Sequence, residues 1–370
     1  MARTSDAPVL TQRVLNRTLL ARQRLLERVA VPPAQLIEHL VGLQAQEPGD
    51  PYVGLWTRIA DLDPLLVSDL LADRQTVRIG LMRTTLHLVT TRDALGLAPI
   101  MDDVLRRAYR SSAFPKQLKE ADPTPIVAAA RALVEGEPMT PSDLGKRLSE
   151  RFPGIDPMAL ALLARYWLPL VQVPPRGLWR QTGRTTNTTL EAWSGSEPVA
   201  FDPGEVVLRY LRAFGPASTA DIRTWSWLTG VRDIVEPLRP RLRTYRDERG
   251  RELLDVEDGV IADADLPAPV RFLPQYDNVF LSHDDRSRIN GAMTWGLDFN
   301  WKGAILVDGG INGAWRGRRE KGGPPTMTIE LGRALTPTER ADLEAEADRL
   351  ARFLDPDRPA GLAIVDVARG

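Results

Sequence analysis

The sequence contains an internal repeat, and this repeat constrains the fold more than any other feature. The segments 122–150 and 202–228 each open with Asp-Pro, continue as an apolar-periodic helix pattern, break at a Gly/Pro turn and restart. They restart at Thr140 and Ser218, each of which stands three residues before an Asp. That spacing is close to a capping box, which satisfies the free amides at the start of a helix. The repeat therefore predicts two helix-turn-helix units.

A third helix pattern and a strand-turn-strand pattern follow each unit. In the first copy these are 158–172 and 177–193, and in the second copy they are 230–242 and 243–259. The second hairpin has Glu-Arg-Gly at its tip, a sequence suited to a tight turn. Three helices followed by a hairpin is the order of a winged helix.

A less regular third copy can be placed at the N-terminus. Its predicted helices are 14–27, 32–44 and 63–74, and its predicted wing strands lie within 76–90. After residue 266 the pattern becomes β-rich, with an acidic helix near 336–353.

We therefore predict an α+β chain of three tandem winged-helix domains followed by a C-terminal β-barrel-like module with a terminal helix. The predicted bounds are 1–118, 119–200 and 201–265 for the three winged helices, and 266–370 for the C-terminal module.

Composition excludes several classes of protein and of site. The chain has 370 residues with 43% apolar content, enough for substantial cores, so a disordered chain is excluded. It has no Cys, and its three His (His39, His87 and His283) are far apart, so we expect no metal site and no thiol chemistry. No apolar run is long enough for a membrane span, and the first residues lack the apolar core of a signal peptide. We expect a cytoplasmic protein without a membrane partner.

The net charge of −1 conceals an uneven distribution of charge along the chain. The segments 74–92 and 157–190 contain no Asp or Glu, and 239–251 and 315–321 are rich in Arg. The compensating acids collect near the C-terminus. Basic segments in three wing positions favour binding of nucleic acid along one face, although winged helices also serve as scaffolds between proteins.

One short motif, Gln44-Ala45-Gln46, lies at the end of the second predicted helix and is a candidate for chemistry. Residues two apart cannot share a helical face, but they face the same side once the backbone is extended. Two amides that converge on one point can hold a water molecule. Such pairs also flank helix ends without any chemistry. Glu47 and Asp50 are nearby carboxylates, although Pro48 and Gly49 favour a turn role for this run.

Several segments together resemble the AlkZ-type bacterial winged-helix DNA glycosylases, and the resemblance covers nearly the whole chain. They are LVGLQAQEP, GLWTRI, IGLMRTTLHLVTTRDA, VQVPPRGLWRQTGR, LRAFGPASTADI and FLPQYDNVFLSHDDRSRI. The resemblance implies a concave, C-shaped DNA channel and a C-terminal β-barrel. It also implies a monofunctional glycosylase that acts on N7-alkylated purines, including interstrand crosslinks. Several members protect producers of DNA-alkylating antibiotics such as azinomycin B.

By this resemblance Gln44 and Gln46 match the catalytic glutamines, and the wings are the least matched part. N7-alkylation gives the purine a positive charge and makes it a good leaving group, so the enzyme has only to place water at C1′ and stabilise the sugar cation. The chain has five Lys and none near the motif, which fits hydrolysis rather than a Schiff-base lyase. No cofactor is expected.

The expected partner is double-stranded DNA that carries alkylated purines or crosslinks, bound by a monomer that associates with the nucleoid. Two segments are candidates for contacting the DNA. The first is a wing loop with Arg184, Thr185 and Asn187, and the second is a basic turn with Arg316, Arg318 and Arg319. The alternative interpretation of the first segment is a polar hairpin tip, and that of the second is a turn that only increases solubility. The alternative function is a winged-helix transcriptional regulator or a non-catalytic protein that binds lesions.

Four other positions have both a structural and a functional interpretation. His87 alternates with apolar residues, which favours a place in the core or at a strand edge. Trp56 is expected to pack in the core, while Arg58 is a candidate phosphate ligand. The run 283–286 favours a hydrogen-bonded turn over an acid-base cluster.

Overall fold

The computed structural model describes residues 7–118, 121–290, 302–319 and 325–366, and for 318, 319 and 366 it describes the backbone only. The helices are α1 (Gln12–Arg22), α2 (Pro33–His39), α3 (Asp50–Trp56), α4 (Pro64–Ala72), α5 (Thr91–Arg110), α6 (Pro123–Gly136), α7 (Pro141–Arg151), α8 (Pro157–Trp167), α9 (Leu190–Ser194), α10 (Pro203–Phe214), α11 (Thr219–Ser226), α12 (Val231–Val235), α13 (Asn278–Leu281), α14 (Ser287–Asn290) and α15 (Pro337–Leu354). The strands are β1 (Val9–Leu10), β2 (Leu43–Gln44), β3 (Thr76–Gly80), β4 (Leu86–Thr90), β5 (Leu170–Gln172), β6 (Asn187–Thr189), β7 (Leu242–Asp247), β8 (Glu252–Val256), β9 (Arg271–Leu273), β10 (Gly303–Val307), β11 (Gly310–Arg319), β12 (Pro325–Leu331) and β13 (Gly361–Asp366). The chain is therefore of the mixed α+β class.

The two predicted helix-turn-helix units are confirmed as the helix pairs α6–α7 and α10–α11. The Thr140 hydroxyl accepts a hydrogen bond from the amide of Asp143 at 3.2 Å. Ser218 and Asp221 form the full reciprocal capping box at the start of α11. Each such cap stabilises its helix by about 1 kcal/mol, so local chemistry determines where α7 and α11 begin.

The predicted wing strands of the first unit are confirmed as β3 and β4, but their sheet extends into the second unit. The strand order is β2-β4-β3-β5-β6, and β5 pairs with β3 through Arg78 opposite Gln172. The predicted strand-turn-strand at 177–193 was wrong in detail, because within it only 187–189 is a strand and α9 follows directly. The first two predicted units thus share one sheet, which creates a surface between them.

The third predicted hairpin is confirmed as β7 and β8, whose turn contains Gly250 at φ +78°. Strand β1 adds to β7 in parallel, so the start of the described chain pairs with the third unit. The 20-residue helix α5 was not predicted from the sequence. It contains Pro99 in its interior, a residue that usually ends a helix.

No closed barrel is found among the described residues of the predicted C-terminal β-barrel-like module. In the described residues these strands form an open five-stranded sheet of order β13-β12-β11-β10-β9, and no closing pair joins its two edges. The predicted terminal helix is confirmed as α15, which starts at a capping box between Thr336 and Glu339 and packs its apolar side with this sheet. Across the described ranges, no helix combines the length and the apolar character needed to cross a membrane.

Candidate active site

The backbone of the Gln44-Ala45-Gln46 motif lies beside strand β4. Helix α2 ends at His39, so the prediction that it reaches Gln44 was wrong. Gly42 turns the chain at φ +93°, and a Cβ there would lie 2.5 Å from Cγ1 of Val89, so only glycine fits. Gln44 then pairs with His87, and the Ala45 amide donates to the Leu86 carbonyl at 2.7 Å. The strand ends at Gln44 and the chain bends at Gln46, so the two glutamines lie in different environments, one buried and one exposed.

The Gln44 side chain is buried, with 6% of its surface exposed, and Arg83 holds it in place. The Nη2 atom of Arg83 donates to Oε1 of Gln44 at 3.2 Å, and its Nη1 donates to the Trp225 carbonyl at 2.7 Å. Because a guanidinium can only donate, the amide oxygen of Gln44 must face Arg83. Arg83 and Thr84 both have left-handed backbone conformations, at φ +54° and +59°, which are costly for residues other than glycine. This strained turn aims Arg83 at Gln44.

His87 supplies a third contact to Arg83 and is neutral. Its Nδ1 lies 2.9 Å from the Thr85 carbonyl, which can only accept, so Nδ1 carries the proton. Its Nε2 lone pair therefore accepts from Nη2 of Arg83 at 3.3 Å. Burial, together with the Arg83 charge, lowers the pKa of His87 to about 3. The prediction of a buried strand histidine is confirmed, and its visible role is to orient Arg83.

A second arginine, Arg78, holds the middle of the motif. Its Nη2 donates to the Ala45 carbonyl at 2.8 Å, while its Nε and Nη1 have no hydrogen-bond partner among the described residues. Burial, with Arg176 nearby, lowers the pKa of Arg78 to about 10. Burial, with Arg286 nearby, lowers the pKa of Arg83 to about 10 as well. Both guanidinium groups thus remain protonated near neutral pH.

Gln46 is exposed and lines a cleft of about 380 Å³ between the shared sheet and the helices of the second unit. We call this space the Gln46 cleft. Its floor crosses the sheet and includes Leu86, Gly80 and Gln172, which come from three successive strands. Its opposite wall comes mainly from α7 and α8. Arg83 therefore fixes the Gln44 amide, while the Gln46 amide lies at the edge of an accessible cleft.

The predicted DNA-binding residues fall into two groups. Thr185 and Asn187 line the Gln46 cleft, and Asn187 is the first residue of β6. Arg184 stands beside them with 72% of its side chain exposed, paired with Asp143 at 2.5 Å. The structure thus places this loop close to Gln46.

The second group lies in the C-terminal sheet. The segment with Arg316, Arg318 and Arg319 was predicted as a turn, but its residues belong to strand β11, where they pair with 325–328 of β12. The turn residues 320–324 lie outside the described residues. Arg316 is exposed and does not line the Gln46 cleft.

Asp50 is the first residue of α3 and has no cationic partner among the described residues. Its Oδ2 is buried without a hydrogen bond to any described residue. Burial, with the carboxylates of Glu47 and Asp277 nearby, raises the pKa of Asp50 to about 7. Asp50 starts a helix, whereas a turn was predicted here. Within the described ranges, no cluster of three or more His, Asp or Glu side chains could hold a metal ion.

The remaining candidates are structural. Arg58 is fully buried and forms two hydrogen bonds of 2.8 Å to Asp277, so it cannot serve as an exposed phosphate ligand. Trp56 is buried in a core, as predicted. The turn at 283–286 is confirmed as a hydrogen-bonded one, with the Asp284 amide bound to Asp221 and with Asp285 paired to Arg249 and Arg251.

Arg78 and Arg83 were not singled out from the sequence as site residues. Both lie in the acid-free segment 74–92, so the signal was present as an unbalanced charge. Their connection to the motif depends on the β2–β4 pairing, which joins residues about 40 positions apart. Gln172 was missed for the same reason, because its place in the cleft depends on β5 joining β3.

This arrangement, a Gln-x-Gln segment beside a cleft in a mixed α+β chain, is one that a DNA glycosylase can use. A comparison with family models supports that class: residues 37–353 match the model described as DNA glycosylase AlkZ-like. The chain therefore belongs to the AlkZ-like DNA glycosylase family, and it is an enzyme of DNA repair.

Comparison with solved structures agrees on the fold. The chain is similar to the DNA glycosylase AlkZ of Streptomyces sahachiroi, with a TM-score of 0.70 and 21% sequence identity. The match covers 96% of this chain and 100% of that one. No curated protein sequence gave a significant match.

Proposed function

We propose that this glycosylase hydrolyses the N-glycosidic bond of bulky N7-alkylpurines in double-stranded DNA, with Gln44 and Gln46 as its catalytic residues. The observation that carries the proposal is the geometry of the motif. Gln44 is fixed by Arg83 at the end of β2, and Gln46, two positions further on, is exposed and lines a cleft.

The proposed chemistry needs no strong acid. An N7-alkylpurine leaves as a neutral base because the alkyl group has already placed a positive charge on its ring. The Gln46 amide, open to solvent, accepts a hydrogen from water, and the fixed Gln44 amide makes the second contact that orients the water toward C1′. This positioning is the main task left to the protein.

The lining of the Gln46 cleft favours a monofunctional enzyme. Among the described residues that line it there is no Lys whose amine could attack C1′ and form a Schiff base. Water is therefore the nucleophile in our proposal, and the product is an intact strand with an abasic site.

The proposed DNA surface uses the three helix-and-hairpin units as tandem winged helices around a C-shaped channel. Arg184, Thr185 and Asn187 would contact the DNA next to the Gln46 cleft. Arg316, Arg318 and Arg319 would contact the backbone from β11. A single chain supplies both groups, so we propose that a monomer acts on the nucleoid.

Crosslinked purines are included in the proposed substrates. A crosslinked base is tethered to the other strand and cannot rotate freely out of the duplex, so an open site suits it better than a closed base pocket. By its family resemblance, we further propose a role in self-resistance to a DNA-alkylating antibiotic such as azinomycin B.

Two preparations of duplex DNA alkylated at N7 of guanine test this proposal, one with a methyl group and one with a bulky substituent. Incubation with the wild-type protein, followed by alkali, should cut the strands at abasic sites. The variant Gln44→Ala/Gln46→Ala should bind the same DNA but leave it uncut. The control Gln35→Ala changes an exposed glutamine of α2 and should act like the wild type. Binding by the wild type without any base release would instead indicate a regulator or a non-catalytic lesion-binding protein.

A further inference from the structure

One exposed tryptophan lies in the turn after α11. Trp227 has 45% of its surface exposed, while every other Phe, Tyr and Trp that the structure describes is buried or half-buried. An indole ring is among the largest apolar groups that a chain can leave in water, so its burial against a ligand is favourable. Trp227 is therefore available for contact with a partner of this enzyme.

The backbone of Trp227 is strained. Its φ is +62° and its ψ is 14°, in the left-handed region that glycine adopts freely and other residues adopt at a cost. Two hydrogen bonds hold it there. The Trp227 amide donates to the Arg223 carbonyl at 2.7 Å, and the Trp227 carbonyl accepts from Nη2 of Arg107 at 2.5 Å. Strain that the surrounding contacts maintain is often found at functional sites.

The turn lies close to the catalytic motif through Arg83. One nitrogen of this guanidinium fixes the Gln44 amide, and the other donates to the Trp225 carbonyl at 2.7 Å. Two residues span at most about 7 Å, so Trp227 is a short step along the chain from the group that holds Gln44.

Helix α5 connects the same turn to the Gln46 cleft. Arg107, which donates to the Trp227 carbonyl, belongs to α5, and Leu105 of this helix lines the cleft. Trp227 therefore has the buried glutamine on one side and the cleft on the other. A duplex that presents a nucleotide to Gln46 would pass within reach of the indole.

The surface around Trp227 is positive. Arg223 and Arg232 are exposed, and neither forms an ion pair with a described residue. In the segment 222–235, Asp233 is the one carboxylate. Unpaired arginines attract phosphates, and exposed aromatic rings stack on bases. The two features together match nucleic acid, which supplies both groups.

We propose that Trp227 stacks on a base next to the lesion and so positions the duplex for reaction at Gln46. The indole inserts at a base step, as apolar side chains do in several proteins that kink DNA, and Arg223 and Arg232 contact the phosphates beside it. Trp227 touches the DNA but not the bond that is cut, so it is a positioning residue. The inference goes beyond the proposed function, because it does not depend on which groups place the water.

Tryptophan emission tests the stacking directly, because a stacked base quenches an indole. The probe is a duplex with one 2′-fluorinated N7-methylguanine, whose glycosidic bond resists hydrolysis. Addition of this duplex should lower the emission of the wild type. In Trp227→Phe, which keeps eight of the nine tryptophans, the emission should fall much less. Equal quenching in the two proteins would overturn the inference.

Single-turnover release of N7-methylguanine measures the effect on the reaction. Trp227→Leu should slow release about tenfold, since it removes a stacking interaction of the size measured for bases on aromatic side chains. Trp227→Phe keeps a ring and should recover most of the rate. Leu and Phe meet the same backbone strain at this position, so a difference between the two variants reports the ring rather than the fold. Equal losses in both would contradict stacking.

Trp227→Gly separates stacking from stability. Glycine adopts the left-handed conformation freely, so this variant should melt no lower than the wild type and yet release base as slowly as Trp227→Leu. The matched control is Asp61→Gly, because Asp61 is also exposed, has φ +51° and does not line the Gln46 cleft. The control should release base at the wild-type rate. The same rate in Trp227→Gly would overturn the inference, whereas a wild type that shows quenching but releases no base would count against the proposed function alone.

Discussion

Two sets of arginines in this molecule differ in their partners. In the scaffold, Arg22, Arg58 and Arg209 each form two charged hydrogen bonds to one Asp, at 2.5–2.9 Å. At the motif, Arg78 and Arg83 are held by carbonyls, an amide and an imidazole, with no ion pair to any described carboxylate.

This difference separates groups that stabilise the fold from groups that serve the site. A buried ion pair offsets the cost of removing two charges from water. An unpaired buried guanidinium keeps its positive charge available, and here two of them flank the Gln44-Ala45-Gln46 motif. A chain with a net charge of −1 can thus present a positive site to a polyanion.

Breaking a scaffold pair should have the largest effect on stability. Arg58→Met leaves Asp277 buried without its partner and should lower the free energy of unfolding by about 3–5 kcal/mol. Urea denaturation measures this, and Arg22→Met should give a loss of the same order. A loss below about 1 kcal/mol would mean that these pairs do not hold the fold.

Changing a motif arginine should instead affect the reaction. Arg83→Met frees the Gln44 amide to rotate, and we expect a ten- to hundredfold slower single-turnover base release. Binding of undamaged DNA should change much less. Arg83→Lys keeps the charge but lacks the planar fork, so it should bind DNA like the wild type and recover only part of the rate of base release. If Arg83→Met instead loses as much stability as Arg58→Met and keeps the wild-type rate of base release, Arg83 belongs with the arginines that stabilise the fold.

The pH dependence of stability tests whether Asp50 is the counter-ion of the motif arginines. A carboxylate paired with a guanidinium would have a lowered pKa, whereas burial raises the pKa of Asp50 to about 7, from 3.8. Between these values the folded protein holds a proton that the unfolded chain has lost, so this group makes stability fall as pH rises toward 7.

Asp50→Asn should remove this contribution. The variant should match the wild type near pH 4 and exceed it by up to about 4 kcal/mol at pH 8, as measured by urea denaturation at each pH. A variant that is less stable than the wild type at pH 8 would indicate that the Asp50 carboxylate is paired after all.

Exposed arginines should give the smallest effects. Arg184→Ala should weaken DNA binding a few fold for every sequence and reduce the salt dependence of binding by about one phosphate contact. Arg316→Ala tests the β11 group in the same way. The control is Arg340→Ala, which removes an exposed ion pair with Glu344 on the terminal helix. An unchanged salt slope in Arg184→Ala would remove that residue from the proposed DNA surface.

The sequence predicted well the features that local chemistry determines. The caps at Thr140 and Ser218 lie where their spacing indicated, because a cap is set by a few neighbouring residues. The alternating pattern at 76–90 gave the hairpin of β3 and β4. The Gln-x-Gln motif was found by its spacing and by resemblance to a family.

What the sequence did not show depends on contacts between distant segments. The pairing of β5 with β3 joins residues more than 90 positions apart, and it creates the Gln46 cleft. The barrel was inferred from β-rich composition, which does not distinguish a closed sheet from an open one. Arg58 and Arg83 have similar sequence surroundings, and only the fold shows that one meets Asp277 and the other meets Gln44.

The most direct test measures free N7-methylguanine by mass spectrometry after a single turnover on duplex DNA. The account predicts that Gln44→Ala and Gln46→Ala each slow its release about a hundredfold while the Kd for the duplex stays within about threefold of the wild type. Release by the Gln44→Ala/Gln46→Ala variant at the wild-type rate would contradict the assignment of these amides as the catalytic residues.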